Sequence, residues 1–152
     1  MRTEVLTIRT GSRPTVHDLT ADCAAFVAGA AVTGDGVAGT REAGTGEAGD
    51  GLLHVFVPHA TAGLAILETG SGSDPDLLAA IDRLLPADDR WRHRHGSPGH
   101  GRDHLVPALV PPYATIPVLA GRLALGTWQR ICLVDTNGDN PVRQVRLTFL
   151  PG

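Results

Sequence analysis

Residues 51–68, GLLHVFVPHATAGLAILE, hold two apolar runs separated by a turn of small residues. Leu52–Val57 mixes β-branched, aromatic and aliphatic side chains, the profile of a strand, and Pro58 ends it because proline cannot donate to a sheet ladder. Leu64–Leu67 supplies a second strand after the His59–Gly63 turn. Asp74-Pro75 then reads as a helix start, with Asp74 as N-cap and Pro75 at the first helical position. Leu77, Leu78, Ile81, Leu84 and Leu85 recur at helical spacing until Pro86.

Outward from this centre, residues 2–10 read as an outer strand and Val16–Leu19 as a short extended piece. Thr20 is the expected N-cap of a helix reaching about Val32, with Ala24, Ala25, Val27, Ala28 and Ala31 as its small-residue packing face. Residues 33–50 are glycine, alanine, threonine and acidic side chains, which predicts a flexible surface loop. Residues 87–103 form a polar loop, and 104–110 a short helical turn. Strands follow over 113–119, 122–126, 129–135 and 142–150, with a turn at Asn137-Gly138-Asp139-Asn140. The last strand alternates Val142, Gln144 and Arg146 on one face with Arg143, Val145 and Leu147 on the other. Two helices and about seven mostly antiparallel strands in one domain spanning 1–152 predict an α+β fold, a β-sandwich with flanking helices.

With 152 residues the chain suits one domain, and its net charge of -3 argues against a general nucleic-acid binder. Absence of a long apolar stretch or signal-peptide core predicts a cytoplasmic protein with no membrane role. Cys23 and Cys132 read as separate buried thiols. The chain has no lysine, which removes Schiff-base chemistry and a Walker-type phosphate loop. Phosphate or other anion binding therefore falls to arginine, histidine, backbone N–H groups or a metal.

His59 ends an apolar strand, and His93, His95, His100 and His104 crowd one loop. Clustered imidazoles suit a divalent metal, and three with an open position form a catalytic pattern. The spacing matches no helical metal motif, so incidental histidines in a solvated loop stand as the other reading. His17 and His54 read as structural. Glu68 ends the second strand without a capping role and is a candidate for proton transfer. Trp128 is either a core indole or, with Gln129, part of a substrate contact.

Taken in order, these segments resemble the secondary thiamine-phosphate synthase (YjbQ-like) family. The carriers are Asp18-Leu19-Thr20, the 51–68 run, Asp74-Pro75-Asp76-Leu77, His93, His104, Ile116-Pro117-Val118, Gly121-Arg122, Gly126-Thr127-Trp128-Gln129 and Arg143. Gly99-His100 departs from it, standing where acidic or amide residues are common. The resemblance implies a YjbQ-like β-sandwich assembled as a homotrimer. It also implies a side activity joining a pyrimidine diphosphate to a thiazole phosphate. On this reading His59, His93 and His104 hold a metal ion (Zn or Mg), and Glu68 with His59 carries the catalysis. Thr61, Trp128, Gln129 and Arg143 then contact a small phosphorylated or anionic substrate. A metal-dependent hydrolase and a non-catalytic anion-binding trimer are the alternatives.

Overall fold

The computed structural model describes residues 1–32 and 49–152. The expected flexible loop at 33–50 lies almost wholly outside the described residues. Two antiparallel sheets make the framework. The larger has the order β1 (Arg2–Arg9), β8 (Val142–Pro151), β3 (Gly51–Phe56), β5 (Tyr113–Leu119) and β6 (Arg122–Leu123). The smaller has the order β2 (Thr15–Asp18), β7 (Arg130–Asp135) and β4 (Ala62–Leu67). Helices α1 (Thr20–Val32) and α2 (Ser73–Leu84) flank them, and a 3-10 segment, His100–Leu105, runs into the single turn α3 (Val106–Leu109). The expected α+β fold is the one observed, with eight strands among the described residues where about seven were expected.

One apolar core joins Leu53 and Val55 of β3, Ile116 and Val118 of β5, Val145, Leu147 and Phe149 of β8, Leu64 of β4, and Ile131 and Leu133 of β7. Val134 belongs to a second cluster with Ile81 and Leu85 at the end of α2, and with Val106 and Val110. Strand β7 is thus buried on both faces, which is why Ile131–Val134 is apolar without alternation. Strand β8 is buried on one face only, and its alternation held: Arg143, Val145, Leu147 and Phe149 point inward.

Four local expectations change. Helix α1 packs through Cys23, Phe26, Val27 and Ala30, while Ala24, Ala25 and Ala28 are exposed. Alanine gains little from burial, so the larger side chains set the helix's phase. Asp18 takes the expected capping part of Thr20, its Oδ1 accepting the Thr20 N–H at 2.8 Å, while Thr20 Oγ1 accepts the Ile131 N–H at 2.9 Å. Helix α2 has Gly72, at φ 99°, as its N-cap, and Asp74 lies within the first turn, where a carboxylate still suits the helix dipole. The expected strand over 122–126 shortens to Arg122–Leu123.

Candidate functional site

The loop between α2 and α3 folds back on itself because both ends are tied. Trp91 Nε1 donates to the Pro86 carbonyl at 2.8 Å. Arg102, buried, bonds Asp82 of α2 and donates to the Leu85 carbonyl at 3.1 Å. Asp103 beside it accepts from the Thr136 hydroxyl at 2.6 Å. Gly101 sits where an added Cβ would stand 2.5 Å from the His93 carbonyl and 2.7 Å from Trp91 Cβ. That close approach brings the two halves of the loop together.

The result is a cluster of four imidazoles, His93, His95, His100 and His104, whose ligand nitrogens all lie within 4.8 Å of one another. His93 is 4.0 Å, centroid to centroid, from both His95 and His104. Nε2 of His100 and Nε2 of His104 are 2.8 Å apart. His95 is exposed, His104 half-buried and His100 buried. The acidity of His93 and His104 is shifted toward the neutral ring. For each, desolvation is the main cause and the neighbouring imidazoles add to it, with Asp103 opposing the shift at His104. Neutral imidazole is the form that binds a metal ion. Four nitrogen donors within reach of one point fit a borderline transition ion; Mg²⁺, which prefers oxygen ligands, fits them poorly.

His59 stands apart from this cluster. Strand β3 pairs with β8 as far as Phe56↔Arg146, and continuing that register sets Pro58 opposite Gln144. The His59 ring fills the gap, its Nε2 accepting the Gln144 N–H at 2.9 Å. Its pKa is lowered by burial first and by the Arg143 cation second, with Asp135 opposing. Arg143 itself forms a buried two-point pair with Asp135. Of the expected trio, then, the structure brings His93 and His104 together, joins His95 and His100 to them, and gives His59 a backbone partner.

The other expected site residues divide between the two ends of β7. Thr61 is buried beside Ala62, which pairs with Asp135 at the end nearest Asn137 and the histidines. Glu68, Trp128 and Gln129 lie at the opposite end, where Leu67 pairs with Arg130. A strand of this length separates the ends by roughly 17 Å. There Glu68 accepts from the Ser71 hydroxyl at 2.9 Å, and Gln129 Oε1 accepts the Gly126 N–H at 2.8 Å. Trp128 is 68% exposed, so the core-indole reading does not hold.

Two contributors escape the sequence reading. Asn137 Nδ2 and Asp139 Oδ2 each stand 2.9 Å from His100 Nδ1. Asp139 is held below the usual carboxylate range, chiefly by the Ser97 N–H it accepts and also by His100. In the sequence both read only as turn residues.

The fold is shared with known proteins. The family described as UPF0047 protein YjbQ-like matches residues 4–152. A UPF0047 protein of Mycobacterium bovis is 65% identical over 103 residues, which cover 68% of this chain and 80% of the relative. UPF0047 protein YugU of Bacillus subtilis is 29% identical over 142 residues, 89% of each chain. The crystal structure of a hypothetical protein from Aeropyrum pernix K1 matches with a TM-score of 0.82 at 30% identity, over 100% of both chains. A family match across nearly the full length, with the same fold in a solved relative, establishes that the chain belongs to the UPF0047 YjbQ-like family.

Proposed function

We propose that the protein is a metal-dependent enzyme acting on a small phosphorylated or otherwise anionic metabolite, with thiamine-phosphate formation as a secondary activity. The observation that carries this reading is the convergence of four imidazole nitrogens within 4.8 Å. Their chemistry favours zinc or a similar ion over magnesium. Such an ion, when bound, supplies charge stabilisation for an anionic group and acidifies bound water.

The chain's own groups hold the site in place. Arg102 and Asp103, both buried, hold the histidine loop against α2 and Thr136. For the thiamine reaction, the bond from the pyrimidine methylene carbon to pyrophosphate breaks as the thiazole nitrogen forms its bond to that carbon. Pyrophosphate leaves with the electron pair, so the protein's task is alignment and charge stabilisation. Hydrolysis of a different small metabolite is the alternative, in which water is the nucleophile.

The homotrimer implied by the family resemblance has a specific use here. Glu68, Trp128 and Gln129 lie across β7 from the histidines, and a head-to-tail ring lets one copy offer them to the next. Mixed trimers of Glu68→Ala and His93→Ala chains, each inactive alone, then recover part of the activity. A monomer by light scattering overturns that assembly.

Elemental analysis after reconstitution tests the metal, with about one zinc per chain expected and none overturning it. Growth of a thiamine-phosphate synthase deletion strain tests the side activity. Wild type is expected to support growth and His93→Ala/His104→Ala is not; equal growth with both removes the site from this reaction.

A further inference from the structure

We propose that Asp139, on the β7–β8 turn, is a positioning residue that makes His100 the anchoring ligand of the metal centre. It takes the Nδ1 hydrogen of His100 and so presents a bare Nε2 to His93, His95 and His104. This rests on the metal reading above and adds to it a residue outside the histidine loop.

His100 Nδ1 faces two groups at once, Asn137 Nδ2 and Asp139 Oδ2, each at 2.9 Å. A ring nitrogen either donates or accepts, so only one of the two contacts is a hydrogen bond at a time. The Asn137 amide is oriented by its other end: its Oδ1 accepts the N–H groups of Asp139 at 2.8 Å and Asn140 at 3.2 Å. Its Nδ2 therefore offers only hydrogens to the ring. An ionised Asp139 carboxylate offers only lone pairs, and a bond to a charged acceptor outweighs one between neutral groups. Nδ1 thus carries the hydrogen and gives it to Asp139, and the Asn137 amide, itself a donor, makes no hydrogen bond to the ring.

That tautomer settles what Nε2 does. Bare of hydrogen, it points at His104 Nε2, 2.8 Å away. Without an ion, the hydrogen between the two rings then belongs to His104. For both rings to hold a cation through Nε2, His104 would carry its hydrogen on Nδ1 instead. A carboxylate behind a ligating imidazole fixes the ring and raises its basicity.

The backbone around the pair is built to close on it. Gly96, at φ +85°, lies so near that an added Cβ would stand 2.7 Å from Asp139 Oδ2 and 3.0 Å from His100 Cγ. The next residue, Ser97, donates its N–H to the same Oδ2 at 3.1 Å. Asp139 therefore joins the ring and the loop carrying His93 and His95 to the turn after β7. His100 is buried, so its ring has little freedom to leave.

The test combines two measurements on the full chain. Long-range ¹⁵N–¹H NMR of the metal-free wild type reads the His100 tautomer, with Nδ1–H expected and Nε2–H overturning the proposal. Zinc affinity by chelator competition is then compared for wild type, Asp139→Asn, Asp139→Ala and His100→Ala, with cobalt spectra recorded in parallel. The Asp139 variants are expected to weaken zinc by about 10–100-fold with unchanged far-ultraviolet dichroism. His100→Ala is expected to weaken it at least as much. Asp139 variants that bind zinc as tightly as wild type overturn the proposal and leave the metal reading standing. Wild type that takes up no zinc or cobalt overturns both.

Discussion

Arg143 and Asp135 meet side by side in the interior, Nε donating to Oδ2 at 2.7 Å and Nη2 to Oδ1 at 2.8 Å, with each side chain 1% exposed. Asp135 Oδ1 also accepts the Asn137 N–H at 3.0 Å, which starts the turn that carries Asn137 and Asp139 to His100. The pair therefore links the inward face of β8 to the histidine cluster. Removing one partner leaves a buried charge without compensation, at a cost of about 3–5 kcal/mol. Arg143→Leu and Asp135→Leu are each expected to lose that much by urea denaturation, and the double variant to recover a large part of it.

The His59 ring accepts the Gln144 N–H through Nε2, a bond that protonation of the ring destroys. Its folded pKa lies below the ordinary histidine value, because of burial and then Arg143. The unfolded chain thus binds a proton more readily than the folded one. The associated stability is complete above the unfolded value of about 6.5 and is lost as pH falls through the folded value. His93 and His104 are shifted in the same direction and add to the slope. Urea midpoints measured from neutral to mildly acidic pH should fall on acidification, and should fall less steeply in His59→Gln.

A metal that binds only the folded protein raises its stability by mass action. Zinc at about 100 times its dissociation constant is expected to add about 2.7 kcal/mol. Thermal melts with and without zinc check this. His93→Ala/His104→Ala should show little zinc-dependent shift, and His59→Ala should keep the wild-type shift because its ring lies outside the cluster.

Cys23 and Cys132 are buried, and burial pushes both thiols up to about 12, with nearby carboxylates adding to the effect. The thiolate is the reactive form, so neither should react with a thiol reagent in the native state near neutral pH. Both should react after denaturation. Rapid native labelling of either would show that its element opens.

Gly63 lies under the chain at Val110, and an added Cβ would run into the Val110 carbonyl. Leu64 donates its N–H to the Pro111 carbonyl at 2.7 Å, which holds the two segments in place. Gly63→Ala is expected to cost about 1–3 kcal/mol by overpacking, read as a lower urea midpoint with the slope unchanged.

The order of elements was legible from local chemistry. Pro58 marked the end of the β3 run, the apolar repeat from Leu77 to Leu85 marked α2, and alternation along 142–149 set Arg143 on one face with Val145 and Leu147. Histidine crowding over 93–104 likewise marked the loop that holds the cluster. These features act over a few residues, at the period of a strand or a helical turn, so the order of residues suffices to read them. What the sequence left open was which distant groups meet. Only the packing of α2, the 3-10 segment and the β7–β8 turn joined His95 and His100 to His93 and His104 and set Asp139 behind His100. The same packing gave Arg143 to Asp135 and His59 to the backbone of Gln144, and left Glu68, Trp128 and Gln129 at the far end of β7. Those pairings depend on three-dimensional closure, where side chains far apart in the chain compete for the same buried partner.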